Sequence, residues 1–157
     1  MTSSTSQVKQ LTPEEQQQVQ QLRQTDRQVR AHEQAHLAVG ADLVRGGPSY
    51  SYQTGPDNQR YAVSGEVSID TSPGRSPAET IPKAQHIRAT ALAPAEPSPQ
   101  DNSVAAQASS MESEARIELA VQQREQATSA DRGNARLYQG VEQSDKRPVG
   151  VRLDLFA

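Results

Sequence analysis

The stretch His32-Glu33-Gln34-Ala35-His36 follows the pattern H-E-x-x-H. Residues i and i+4 stack on one face of an α-helix, so a helix here brings both imidazoles to one metal ion. The glutamate between them projects beside that face. It can touch water on the metal without ligating. Zinc lowers the pKa of such a water to about 7 and polarises a carbonyl, and the carboxylate accepts the proton. The chain has three histidines, and this pentapeptide uses two of them. A pattern this short also arises by chance, as two exposed imidazoles on a polar helix, so the flanking sequence has to carry part of the argument.

Upstream, Thr12-Pro13-Glu14-Glu15 reads as a helix start. Thr12 suits the N-cap, Pro13 the first helical position, and Glu15 closes a capping box. Leu11, Val19, Leu22 and Val29 then recur at roughly helical spacing. The helix is expected to run through His36 to Val39 and stop at Gly40. Asp26 is a second candidate cap, which would break the helix near Thr25.

Downstream, Gly46-Gly47-Pro48 interrupts the chain. Two β-prone runs, 49–53 and 59–63, flank the turn cluster 54–58 and read as a hairpin. After Ser64-Gly65, the run Glu66-Val67-Ser68-Ile69-Asp70 alternates as a third short strand. Tyr50, Tyr52 and Tyr61 fall in this region. Packing of the hairpin on the helix is their plain role, and oxyanion stabilisation is the functional alternative. Ser76-Pro77-Ala78-Glu79 repeats the capping logic and opens a helix to about Ala93, ended by Pro94. Pro82 is awkward inside it, which moves its regular start toward Thr80. Ser98-Pro99-Gln100-Asp101 opens a further helix, with Val104, Ala108, Met111, Ala115 and Leu119 on one stripe. That stripe could dock on the core or on a partner helix. Val151, Leu153 and Leu155 alternate at the end, as in a short strand or a docking peptide.

The chain has 157 residues, 33% hydrophobic and 3% aromatic, with mean hydropathy −0.80. That supports one modest domain and leaves residues too polar for a packed core. The expected division is a disordered tail over 1–10, a domain over 11–127, and a largely disordered tail over 128–157. Net charge is −3 with no basic stripe, which argues against nucleic acid as a partner. The absence of cysteine excludes disulfides and thiolate ligands. No apolar run approaches the roughly 18 residues of a membrane span, and 1–10 lacks the apolar core of a signal peptide. The default location is therefore cytoplasmic, with non-classical export left open.

Several blocks, in order, carry a resemblance. Residues Asp26 to His36, Tyr50 to Asp57, Arg60 to Val63, Gly65 to Asp70 and Ala89 to Ser98 resemble the SprA-related bacterial family of zinc metalloproteases. The resemblance covers roughly 26–108. It implies a zincin-like site and brings no established substrate. The loop at 73–75 is shortened relative to the family pattern, and Pro82 departs from it.

A catalytic zinc takes three protein ligands and keeps a position open. His32 and His36 supply two. Glu66 is the favoured third, because Gly65 frees the backbone to turn it toward the helix. Asp70 is the next candidate, or else a support that orients an imidazole. Asp42, His86 and Glu79 are lesser rivals. Asp42 lies near the position used by short-spacer zincins, but Gly40 is one residue too far from His36. His86 reads as a helix-surface residue and Glu79 as a cap.

The expected fold is an α+β zincin-like minidomain, with a long metal-binding helix, a hairpin plus short strand, and two packing helices. The expected function is zinc-dependent peptide-bond hydrolysis, with His32, His36 and Glu66 on zinc and Glu33 as general base. The alternative is a non-catalytic interaction protein with a structural metal or none.

Overall fold

The computed structural model describes the backbone of residues 10–144 and the side chains of 10–132. The apolar alternation at 151–155 and nearly all of the N-terminal tail lie outside the described residues. The chain divides into two units, Met1–Ala115 and Arg116–Ala157. No helix among the described residues is long and apolar enough to cross a membrane.

Helix α1 spans Pro13–Gly40 without a break. Its capping box is complete: Glu15 N donates to Thr12 Oγ1 (3.2 Å) and Thr12 N donates to Glu15 Oε2 (2.9 Å). Val19, Leu22, Glu33, His36 and Gly40 are buried, and Asp26 and Val29 are half-buried between them. These positions recur alternately three and four residues apart, which is one helical face. The face is apolar in its first half and mostly polar in its second, so the apolar pattern fades while the helix continues. Asp26 does not recap the helix. It accepts the Ala62 backbone N–H (2.7 Å) and the Arg30 guanidinium (3.0 Å), and so fastens α1 to the following sheet.

Strands β1 (Ser49–Thr54) and β2 (Arg60–Glu66) form the expected hairpin. They pair antiparallel from Ser49↔Glu66 to Thr54↔Arg60, with a register shift between Ser51 and Tyr52 that leaves Val63 as the extra residue. Asn58 takes φ 62° in the turn, a left-handed conformation that asparagine tolerates. The expected third strand is corrected: residues 67–70 do not extend the sheet. Instead Arg45 N donates to Ser68 O (2.9 Å) and Asp70 N to Leu43 O (2.8 Å), around a single bridge Val44↔Ile69. The segment pairs with the chain leaving α1, and the sheet keeps two strands.

Helix α2 spans Pro77–Ala91, capped by Ser76, and contains Pro82. It starts at Pro77 rather than near Thr80. The proline sits early, so it forfeits only the bond to the Ala78 carbonyl, near the helix start. Helix α3 spans Pro99–Ser144. Its helical course through 128–144 differs from the irregular tail expected there. That stretch has no proline to break the helix, and Gly133 and Gly140 lower its propensity without ending it.

The core of the first unit has two small parts. Val19, Leu22 and Tyr61 form one, with Leu11 and Val63 against them. Leu43, Ile87 and Ala108 form the other, with Ile69 and Val104. Glu112 is buried yet paired, accepting from Gln85 (2.8 Å) and Arg88 (3.1 Å) across α2 and α3. The architecture is α+β, three helices with a two-stranded hairpin.

Asp70 anchors the loop after β2. It accepts from the Ser72 hydroxyl (2.7 Å) and pairs with Lys83 (3.2 Å) and Arg45 (3.0 Å). Chiefly the Ser72 hydrogen bonds, and then Lys83, hold its carboxyl far below the usual carboxylate range. A depressed folded-state pKa contributes stability above the unfolded value of about 3.9 and loses it as pH falls through the folded value. Asp70→Asn should therefore lower the urea midpoint at pH 7. The gap from wild type should shrink below about pH 4. A gap that is constant from pH 7 to pH 2 would contradict this.

Candidate metal centre

The second half of α1 presents His32, Glu33 and His36 to the start of α3 and the end of β2. His36 is 2% exposed. Its Nδ1 lies 2.8 Å from the Thr90 carbonyl oxygen. A carbonyl only accepts, so Nδ1 carries the proton and, in the neutral ring, Nε2 keeps its lone pair. The α1–α2 approach behind this bond is very close: a Cβ on Gly40 would overlap the Thr90 side chain. Glycine at that position lets the helices meet.

Asp101 reaches the imidazole pair from the first turn of α3. His32 Nε2 and His36 Nε2 are 3.3 Å apart. Asp101 Oδ2 lies 3.3 Å from His32 Nε2, and Oδ1 lies 3.4 Å from His36 Nε2. Among the described residues these three form the one group able to hold a metal ion. A tetrahedral ion with ligand bonds of about 2.0–2.1 Å has ligand–ligand edges of roughly 3.3–3.4 Å. The imidazole pair and the approach of one Asp101 oxygen to each ring are of that size, so the three side chains are close enough to share such an ion.

Asp101 is held in place by α3's own cap. Ser98 N donates to Asp101 Oδ2 (2.7 Å), and Asp101 N donates to Ser98 Oγ (3.1 Å). Burial pushes its carboxyl up, but the Ser98 bonds and the two imidazoles outweigh this and keep it below the ordinary value. Glu33 behaves oppositely. It is 2% exposed, and burial raises its pKa against the pull of His32 and His36. Its carboxylate has no hydrogen bond among the described residues and faces the clefts beside the imidazoles. Gly65 passes directly over it: a Cβ there would lie 2.6 Å from Glu33 Oε1.

Two clefts meet at this point. One, of about 780 Å³, is lined by His32, Glu33, His36, Glu66 and Asp101 among others. The other, of about 730 Å³, shares His32, Glu33 and Gly65 and extends toward Pro94, Ala95 and Glu96.

Of the residues expected at the site, His32, Glu33 and His36 come together. Asp101, and not the expected Glu66, completes the three-residue group with His32 and His36. Glu66 ends β2 as an exposed residue lining the larger cleft, outside the three-residue group. Gly65 serves there to make room for Glu33. Asp70 is tied to Lys83 and Arg45, and the Thr90 carbonyl takes the orienting role considered for it. His86 bonds the Val39 carbonyl (2.8 Å) and lies 3.6 Å from Asp42, so those two pair with each other. Glu79 accepts the Arg75 N–H (3.1 Å) at the start of α2, as a cap does. Tyr50 and Tyr52 stack beneath Arg30 and Arg60, and Tyr61 bonds Asp57. None of the three lines either cleft. Asp101 was missed because an acid at a helix start reads as a cap, and here it is also a cap.

A family model described as SprA-related matches residues 3–146. The chain belongs to the SprA-related family. The match takes in α1, the hairpin, α2 and all of α3, and so every residue of the SprA-related chain's candidate centre. No curated protein and no solved structure matches the chain.

Asp101→Ala should weaken zinc binding by more than the roughly 10–100-fold typical of residues one step removed from a metal. Glu66→Gln should leave zinc binding unchanged. Competitive chelator titration reads both, and the reverse order would return the third position to Glu66. Gly40→Ala should cost about 1–3 kcal/mol of stability through overpacking. It should also weaken zinc binding, because it displaces the Thr90 carbonyl from His36. A variant with wild-type melting and affinity would reject this role for Gly40.

Proposed function

We propose that this protein is a zincin-like, zinc-dependent peptidase in which His32, His36 and Asp101 hold the metal and Glu33 is the general base. The observation that carries this reading is the Glu33 carboxylate: buried, without a hydrogen bond, raised in pKa, and open to a cleft beside three ligating groups. A carboxylate without a protein partner that reaches solvent through the cleft is placed to act on what enters it. A purely structural metal has no need of it, and would take a fourth protein ligand in place of an open position.

When bound, zinc would supply Lewis acidity toward a scissile carbonyl and toward water. The protein's residues do the rest. His36, fixed by Thr90, presents Nε2 as a donor pair, and Asp101 brings the negative charge that suits a divalent cation. Glu33 takes a proton from the attacking water and passes it to the departing amine nitrogen. Its raised pKa brings it nearer the operating pH, where one group can both accept and return a proton. Gly65 and the helix packing around Glu33 limit the water that would otherwise solvate the carboxylate.

Glu33→Gln should keep the fold and the metal and lower peptide hydrolysis by about 10²–10⁴-fold, the usual contribution of a general base. Digestion of a peptide library with zinc-loaded protein, with metal content measured alongside, is the test. Equal cleavage by the variant would remove Glu33 from the mechanism. A wild type that binds zinc and cleaves nothing would favour a non-catalytic metal protein.

A further inference from the structure

The two clefts share His32, Glu33 and Gly65, so a chain laid across the metal centre runs from one into the other. Together they are lined by four carboxylates, Glu33, Glu66, Glu96 and Asp101. No lysine or arginine lines either, although the chain carries 16. A divalent cation would offset only two of the four charges.

Several acids of the first unit away from the clefts are held by cations. Asp26 is held by Arg30, Asp57 by Arg23, Asp70 by Arg45 and Lys83, and Glu112 by Arg88. The Glu66 and Glu96 carboxylates have no hydrogen-bond or ion-pair partner among the described residues. Both are exposed, one in each of the two clefts that share the buried Glu33. Glu66 is near enough to act on the Glu33 charge.

From these observations, and resting on the peptidase reading above, we infer that the substrates are extended polypeptides with lysine or arginine close to the scissile bond. Glu66 reads a cationic side chain on one side of it and Glu96 on the other. An acidic segment is repelled from both clefts, which is specificity by exclusion as much as by attraction.

The test is fluorescence anisotropy with three labelled octapeptides that differ only in a central Lys-Lys, Gln-Gln or Glu-Glu pair. The protein is the full chain carrying Glu33→Gln, so that the peptides are not consumed. The Lys-Lys peptide should bind tightest and the Glu-Glu peptide weakest. Raising salt to about 0.5 M should compress the difference, as it does for solvent-exposed charges. Adding Glu66→Gln and Glu96→Gln should weaken the Lys-Lys peptide by up to about fivefold each, the range of exposed ion pairs, and leave Gln-Gln binding unchanged. Equal binding of all three peptides, or an order that survives both substitutions, would overturn the inference. So would loss of zinc from Glu66→Gln, which would make Glu66 a ligand. Failure of the peptidase reading is distinguishable, because it would appear as absent cleavage by wild type with the binding order intact.

Discussion

The hydrogen bond from His36 to the Thr90 carbonyl joins the fold to the chemistry. It demands that α1 and α2 cross within side-chain contact, which Gly40 makes room for. It fixes which imidazole nitrogen is free to bind a metal. It also satisfies a polar group in the least exposed part of the molecule. The surrounding core is built from small residues, among them Ala62, Ala84, Ala91 and Ala108, which allow helices to approach but bury little apolar area. A core of this kind tolerates Glu33, His36 and Thr90 only because the polar groups meet each other or the clefts. Metal held at the centre would add stabilisation where apolar packing is thin.

Asp101 and Glu33 show how one environment sends two acids in opposite directions. Both are removed from bulk water, which alone raises a carboxyl pKa. Asp101 receives the Ser98 bonds and faces two imidazoles, and it stays ionised. Glu33 receives no such bonds and rises. Such divergence gives two carboxyls different protonation behaviour without a difference in chemical type. Capping is therefore part of the site's chemistry: the same bonds that start α3 keep Asp101 charged.

The parts of the fold visible in the sequence were those set by local rules. The Thr12 capping box, the helix carrying the two imidazoles, the hairpin around 54–58 and the Ser76 cap all follow from residues a few positions apart. The long-range choices were not visible. Asp26 reads as a cap in isolation, yet its partner is the Ala62 backbone N–H, far along the chain. Residues 66–70 alternate like a strand, but beyond Glu66 their pairing partner is the loop after α1. At the site, H-E-x-x-H specified three positions through helical periodicity alone. Asp101, which completes the candidate group, lies 69 residues beyond His32, and no spacing rule reaches that far. Gly65 was noticed as a source of backbone freedom, whereas its use is the space it leaves over Glu33.

The bulge in β2 bears on how this chain can change length. Val63 is the extra residue, and Gly65 follows it by two positions. The turn at 55–59 lies at the opposite end of the hairpin from Glu33, so insertions and deletions there are absorbed by a surface loop. A single-residue insertion or deletion between Ala62 and Gly65 is different in kind. It would slide β2 by one step and put Ser64 or Glu66 where only a hydrogen atom now faces the Glu33 carboxylate. The distance from bulge to glycine is thus a counted interval, intolerant of indels although β1, the strand beside it, is largely exposed.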